Sequence, residues 1–156
     1  MQPSLGLDIG TRRIGVALSN ALGIAQPLLT IQRTQPRRDQ RSILRLARRH
    51  HCVGIVVGNP LLLSGDPSRQ TERVHRFVDE LKSLIAESPD HPAIPVHLWD
   101  ERLSTAEAHA ALEAAGHDPA DRRTRRHMVD QTAAAIILQG WLDAQSGAVT
   151  LLPPEP

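Results

Sequence analysis

Two apolar runs, Leu5–Ile9 and Ile14–Leu18, are separated only by Gly10-Thr11-Arg12-Arg13. A link that short cannot carry a crossover, so the runs read as adjacent strands of a meander. A third strand is expected over Ile24–Ile31, but Pro27 interrupts it and cannot donate to a sheet ladder. That strand therefore belongs near the sheet margin. The spacing then changes. Residues 37–50 read as a helix, with Ile43, Leu46 and Ala47 on one side and Arg37, Arg41, Arg45 and Arg48 on another.

Val53–Val57 is an unbroken apolar run ending in Gly58-Asn59-Pro60, as suits a strand buried on both faces. Asp66-Pro67 reads as a cap with Pro at the first helical position. Val74, Phe77, Val78, Leu81, Leu84 and Ile85 then keep helical spacing. Val96–Trp99 is a short strand running straight into Asp100-Glu101. Ser104-Thr105-Ala106-Glu107 fits a capping box for a helix to about Ala115, stopped by Gly116. Residues 117–126 read as a polar, mobile loop, and the last helix spans about Met128 to Ala144. Three strands followed by alternating helices and strands give an α/β domain with a mixed central sheet: a three-stranded meander, then crossover-connected strands, flanked by helices. One domain is expected over 1–145, with a Pro-rich, disordered tail over 146–156.

At 156 residues with 40% hydrophobic and 22% charged content, the chain can build one sizeable core. A single cysteine, Cys52, excludes an internal disulfide, and no zinc-type Cys/His spacing occurs. No charged-then-apolar leader opens the chain and no apolar run approaches membrane-spanning length. A soluble, cytoplasmic protein with no membrane partner is expected. The net charge of +1 is uninformative, but its distribution is not. Seven arginines fall within 33–49 against the single acid Asp39, and Arg122, Arg123, Arg125 and Arg126 crowd the approach to Asp130.

Asp8 is a carboxylate at the end of an apolar strand that opens into a Gly-flanked turn. Such a group suits a hard cation or a neighbouring phosphate. It could instead bond the turn backbone. Asp130 shares the stripe continued by Ala133, Ala134, Ile137, Leu138 and Trp141, or else caps its helix, where the helix dipole favours an acid. Asp100 and Glu101 end a strand, or are solvated residues ahead of a capped helix. Carboxylates from separate elements can hold two Mg²⁺ or Mn²⁺ ions for phosphodiester hydrolysis, and all-oxygen ligands favour those ions over zinc.

Four segments, in order, resemble the YqgF/RuvX family of Holliday-junction-resolvase-like pre-16S rRNA nucleases. They are Leu5-Gly6-Leu7-Asp8-Ile9-Gly10-Thr11-Arg12-Arg13-Ile14-Gly15-Val16-Ala17; Val56-Val57-Gly58-Asn59-Pro60-Leu61; Asp100 to Ala108; and Val129 to Leu138. The resemblance implies an RNase H-like fold and a cytoplasmic hydrolase maturing the 5′ end of the small-subunit rRNA precursor in ribosome biogenesis. It carries the catalytic and metal-ligand set onto Asp8, Glu101 and Asp130, and it favours Glu101 over Asp100. Two positions depart from the family pattern: Asn59 stands where an apolar residue is usual, and Gln131 where Lys is usual.

The implied partner is precursor rRNA, free or on pre-ribosomal particles, with structured DNA as the other substrate class and a monomer or homodimer as the assembly. Arg12 and Arg13 beside Asp8, with Arg122, Arg123, Arg125 and Arg126 before Asp130, are the candidate nucleic-acid contacts. Arg37, Arg41, Arg45 and Arg48 either track phosphate or form a solvated face. His127 is a weaker candidate for proton transfer. With no Tyr, one Phe and two Trp expected in the core, base stacking is not expected to drive recognition. The apolar loop Leu61-Leu62-Leu63 is expected to pack under the domain or else to form a partner surface. Three alternatives stand beside the rRNA nuclease. One is a resolvase of four-way DNA junctions, one a non-catalytic RNA-binding module of the same fold. The third, an actin-like kinase, would need a second such domain.

Overall fold

Alternation along five strands decides which side chains reach which layer. The structure, a computed structural model, describes residues 1–62, 64–89, 91–101 and 122–150, with backbone alone for 122–125 and 147–150. Its elements are β1 (Leu5–Ile9), β2 (Arg13–Ser19), β3 (Ala25–Gln32), α1 (Pro36–Arg49), β4 (Ile55–Asn59), α2 (Arg69–Ala86), β5 (Val96–Asp100) and α3 (Arg122–Thr150). The sheet order is β3-β2-β1-β4-β5. The meander β1-β2-β3 is antiparallel, while β4 and β5 run parallel to β1. This is the expected α/β arrangement with a mixed sheet, and the Pro27-bearing strand lies at the margin as anticipated. A register shift between Val16 and Ala17 accommodates Pro27, which pairs opposite Ala17.

Leu5, Leu7, Ile9, Ile14, Val16, Ile55 and Val57 share one face and pack with Ile43, Leu44 and Ala47 of α1 and Val74, Phe77, Val78, Leu81 and Ile85 of α2. On the other face Ala17 and Val56 meet Ala134, Ile137, Leu138 and Leu142 of α3. Gly6 lets that helix approach closely, since a Cβ there would strike Leu138 Cβ and the Ala134 carbonyl.

Three local expectations change. Helix α2 starts at Arg69, not at Pro67: Ser68 and Thr71 bond reciprocally to each other's backbone N–H, a capping box stronger than the Asp66-Pro67 signal. Helix α3 is longer than its apolar periodicity. It begins at Arg122, so 122–126 is helical rather than loop, and it continues to Thr150. Arginine is a good helix former, and polar residues extend a helix without leaving an amphipathic trace. Finally, Leu62 is 51% exposed rather than packed under the domain. The loop closes on itself instead, with Leu62 N–H donating to the Asp66 carbonyl and Gly65 N–H to that of Leu62. Leu63, the Ser104–Ala115 helix, 117–121 and 151–156 lie outside the described residues. Among the described residues no helix is long and apolar enough to cross a membrane.

Candidate active site

The site is built where β1, β4 and β5 end and α3 crosses them. Asp8 alternates with the core residues Leu7 and Ile9, so it shares Gly6's face of the sheet, the face α3 covers. Its register partner on β2 is Gly15. A Cβ on Gly15 would overlap the Asp130 carbonyl, so the helix backbone at Asp130 rests directly on the strand position beside Asp8. Glu101 follows from β5. His97 stacks on Trp141 at 4.9 Å between ring centroids, and Trp99 packs against Gly140, so both lie on the α3 face. Two residues beyond Trp99, Glu101 takes that face and Asp100 the opposite one. Gly58, paired with Trp99 on β4, makes the room: a Cβ there would strike Glu101 Oε1 and Ile137 Cδ1. Of the two residues the pattern left open, Glu101 is the one whose side chain lies on the α3 face.

The electrostatics reflect this convergence. Burial pushes the Asp8 carboxyl up to about 7, and the negative fields of Glu101 and then Asp130 push the same way. Glu101 is also raised, by burial first and by Asp100 second. Asp130 is held by Arg13, Nε to Oδ2 at 2.6 Å, with both side chains about a quarter exposed (24% and 21%). Among the described residues no three His, Cys, Asp or Glu side chains are already gathered as a metal cage, and Asp130 is turned to its arginine. The donor chemistry nevertheless fits a hard divalent cation. Asp8 and Glu101 are oxygen donors whose charged forms are disfavoured as they stand, which a cation would reverse.

Other candidates fall around this centre. Asp130 is nine residues into α3, so it does not cap the helix. The turn after β1 is closed by the Gly10 N–H to the Arg13 carbonyl at 2.9 Å, and by Arg33 Nη1 on the Gly10 carbonyl at 2.9 Å. Arg12 is exposed on that turn, and Arg13 is drawn across to Asp130. Arg126 is exposed on α3, while the side chains of Arg122, Arg123 and Arg125 lie outside the described residues. His127 turns away from Asp8 toward β3, its ring Nε2 3.1 Å from Gln32 Nε2 and its carbonyl accepting from Thr30 Oγ1. Gln131, the position where the family pattern has Lys, donates to Thr30 Oγ1 at 3.0 Å. Asn59 meets His75 at 2.9 Å. Helix α1 packs on the opposite sheet face, so Arg37, Arg41, Arg45 and Arg48 are not brought to the acids, and Arg37 pairs instead with Glu87.

Sequence reasoning overlooked Gln70 and Arg73 of α2, and it did not connect Arg33 with the acids. Gln70 Nε2 donates to the Ile9 carbonyl at 2.8 Å, one residue past Asp8. Only the crossover topology, which docks the start of α2 at the end of β1, places these residues there.

Comparison with known proteins bears on family and fold. The model of the family described as "RuvX: Holliday junction resolvase" matches residues 2–144. A protein of Myxococcus xanthus named "Putative pre-16S rRNA nuclease" is 39% identical over 142 residues, covering 90% of this chain and 87% of the relative. One of Syntrophus aciditrophicus with the same name is 44% identical over 143 residues, covering 91% and 89%. Among solved structures, T. thermophilus RuvC in complex with a Holliday junction superposes with a TM-score of 0.58 at 16% identity, over 94% of this chain and 97% of that one. The yeast mitochondrial resolvase Ydc2 gives 0.53 at 14% identity, over 94% and 80%. At such identities the likeness is one of fold, and the fold is the RNase H-like one of these resolvases.

Proposed function

The chain belongs to the RuvX family, and on that footing we propose that it is a divalent-metal-dependent nuclease that processes the 5′ end of pre-16S rRNA in the cytoplasm. The observation carrying this reading is that Asp8 and Glu101 share the α3 face of the sheet with the Asp130 backbone against Gly15, the register partner of Asp8, and that burial, then Glu101 and Asp130, raise the Asp8 carboxyl to about 7. The relatives' shared name supplies the substrate class.

Asp8 and Glu101 would hold Mg²⁺ or Mn²⁺, with Asp130 joining them. Bound there, a pair of such ions supplies an activated water and neutralises charge developing on the phosphate. Asp8 must shed its proton to bind a cation, so protons compete with the cation at this carboxylate, the more so for its raised pKa. Arg13 balances the charge of Asp130. When the backbone of the substrate arrives, the Arg13 guanidinium can turn from carboxylate to phosphate, both being acceptors it binds well. Gly15 and Gly58 keep α3 and the Glu101 side chain close enough to β1 for the acids to act together.

A second reading, cleavage of four-way DNA junctions, draws on the family description and on the resolvases that share the fold. One experiment separates the two. Purified protein is incubated with 5′-extended pre-16S rRNA and with a four-way DNA junction, in Mn²⁺ or in chelator. Metal-dependent cleavage of the RNA alone supports the first reading, and cleavage of the junction alone supports the second. A non-catalytic RNA-binding module would bind the RNA and cleave neither.

A further inference from the structure

A groove of about 770 Å³ opens beside the β1–β2 turn, lined by Thr11, Arg12, Gln32, Arg33, Thr34 and Arg73. Three of these six are arginines, the other three carry hydrogen-bonding side chains, and none is acidic. Such a lining suits a repeating anion that also accepts hydrogen bonds.

Its walls are fixed. Arg33 N–H donates to the Arg12 carbonyl at 3.0 Å, which ties the end of β3 to the turn. The Arg33 guanidinium is held three ways: Nη1 on the Gly10 carbonyl at 2.9 Å, Nε on Asp39 at 3.3 Å, and its carbon 5.3 Å above the Phe77 ring centroid. Gln70 Nε2 on the Ile9 carbonyl docks the start of α2 against the same strand end, one turn before Arg73. Arg33 is therefore a positioning residue, its charge balanced by the buried Asp39. The side chains of Arg12 and Arg73 are exposed and make no hydrogen bond or ion pair among the described residues.

Gly10, whose carbonyl anchors Arg33, is two residues past Asp8, a strand rise of roughly 7 Å. We propose that this groove holds a stretch of phosphodiester backbone flanking the cleaved one, so that the substrate passes over the β1–β2 turn from Asp8 onto Arg12 and Arg73. The groove lies on the α2 side of that turn and the acids on the α3 side, so the backbone is gripped on both sides of the turn. This inference rests on the nuclease reading and specifies how its substrate is held.

The test uses binding rather than cleavage. Full-length Asp8→Asn protein is titrated, in chelator, with a fluorescein-labelled RNA hairpin bearing a 5′ overhang. The same titration is run with Arg12→Ala/Arg73→Ala added, across a salt series. Both arginines are exposed, and an unchanged melting temperature would verify the fold. The groove predicts affinity lower by at least about fivefold near 0.1 M salt, and a log–log salt slope shallower by about 1 to 2. Unchanged affinity and slope would overturn the groove. If wild-type protein cleaves no nucleic acid but the double variant still binds more weakly, the nuclease reading fails while the groove stands. If wild-type protein cleaves RNA and the variant binds like its parent, only the groove fails.

Discussion

The two faces of the sheet do different work with different residues. Under α1 and α2 the strands present Leu5, Leu7, Ile14, Val16, Ile55 and Val57, and the helices answer with Ile43, Phe77 and Leu81. Under α3 the corresponding positions are Gly6, Asp8, Gly15, Ala17, Val56 and Gly58. Large aliphatic side chains on the first face remove apolar area from water, and much of the driving force for folding comes from there. Small residues on the second give up some of that area and bring a helix backbone down onto the strands. The helix backbone at Asp130 then lies against the strand position beside Asp8. The same alternation that fills a core on one side leaves a gap for chemistry on the other.

Substitutions can break or sharpen this contrast. The largest effect is expected from Asp8→Asn. Cleavage should fall on the order of a hundredfold or more, as when one preorganised electrostatic group is removed, with RNA affinity retained; wild-type turnover in that variant would defeat the proposed site. Next comes Leu81→Ala on the apolar face. It should cost about 2–5 kcal/mol of stability by leaving a cavity, read by denaturant unfolding, while activity per folded molecule at low temperature stays near wild type. Gly58→Ala should do the reverse. Its methyl meets the end of the Glu101 side chain and a methyl of Ile137, so about 1–3 kcal/mol of overpacking should accompany a larger loss of cleavage than Leu81→Ala produces. Equal effects of the two variants on turnover would erase the division between faces.

A smaller effect concerns pH. Folded Asp8 titrates near 7 against an ordinary value of 3.8, so between those values the native chain keeps a proton the unfolded chain releases. Stability in chelator should therefore decline as pH rises from about 4 to 7, by on the order of a few kcal/mol in all. The melting temperature of Asp8→Asn should lack that component. Cleavage should move the other way and rise through pH 7 as Asp8 becomes free to bind a cation. Identical pH–stability profiles for the two proteins would show that Asp8 titrates normally. Smallest of all, Arg123→Ala with Arg126→Ala should weaken RNA binding modestly and reduce the salt slope by about 1 to 2. An unchanged slope would remove the start of α3 from the interface.

Much of this was legible in the residues because it depends on period. The short link between β1 and β2, the Pro27 strand at the margin, and the stripe on α2 each follow from spacing or a missing N–H. The acids were singled out through strand ends and the family resemblance, which holds for the places of Asp8 and Glu101, whereas Asp130 lies nine residues into α3. The remainder depends on contacts distant in sequence. Arg13 reads as a free phosphate ligand until α3 places Asp130 117 positions later within 2.6 Å of it. Arg73 carries no signal in the sequence, and its place beside the β1–β2 turn follows only from Gln70 docking that helix on Ile9. The start of α3 was hidden because an arginine run carries helical propensity without helical periodicity.

Isothermal titration of Mn²⁺ into wild type, Asp8→Asn, Glu101→Gln and Asp130→Asn at pH 8 addresses the shared site most directly. If the three acids act on one cation-binding centre, each single substitution should weaken Mn²⁺ binding markedly. Wild-type affinity in all three variants would place the ion elsewhere and contradict the account.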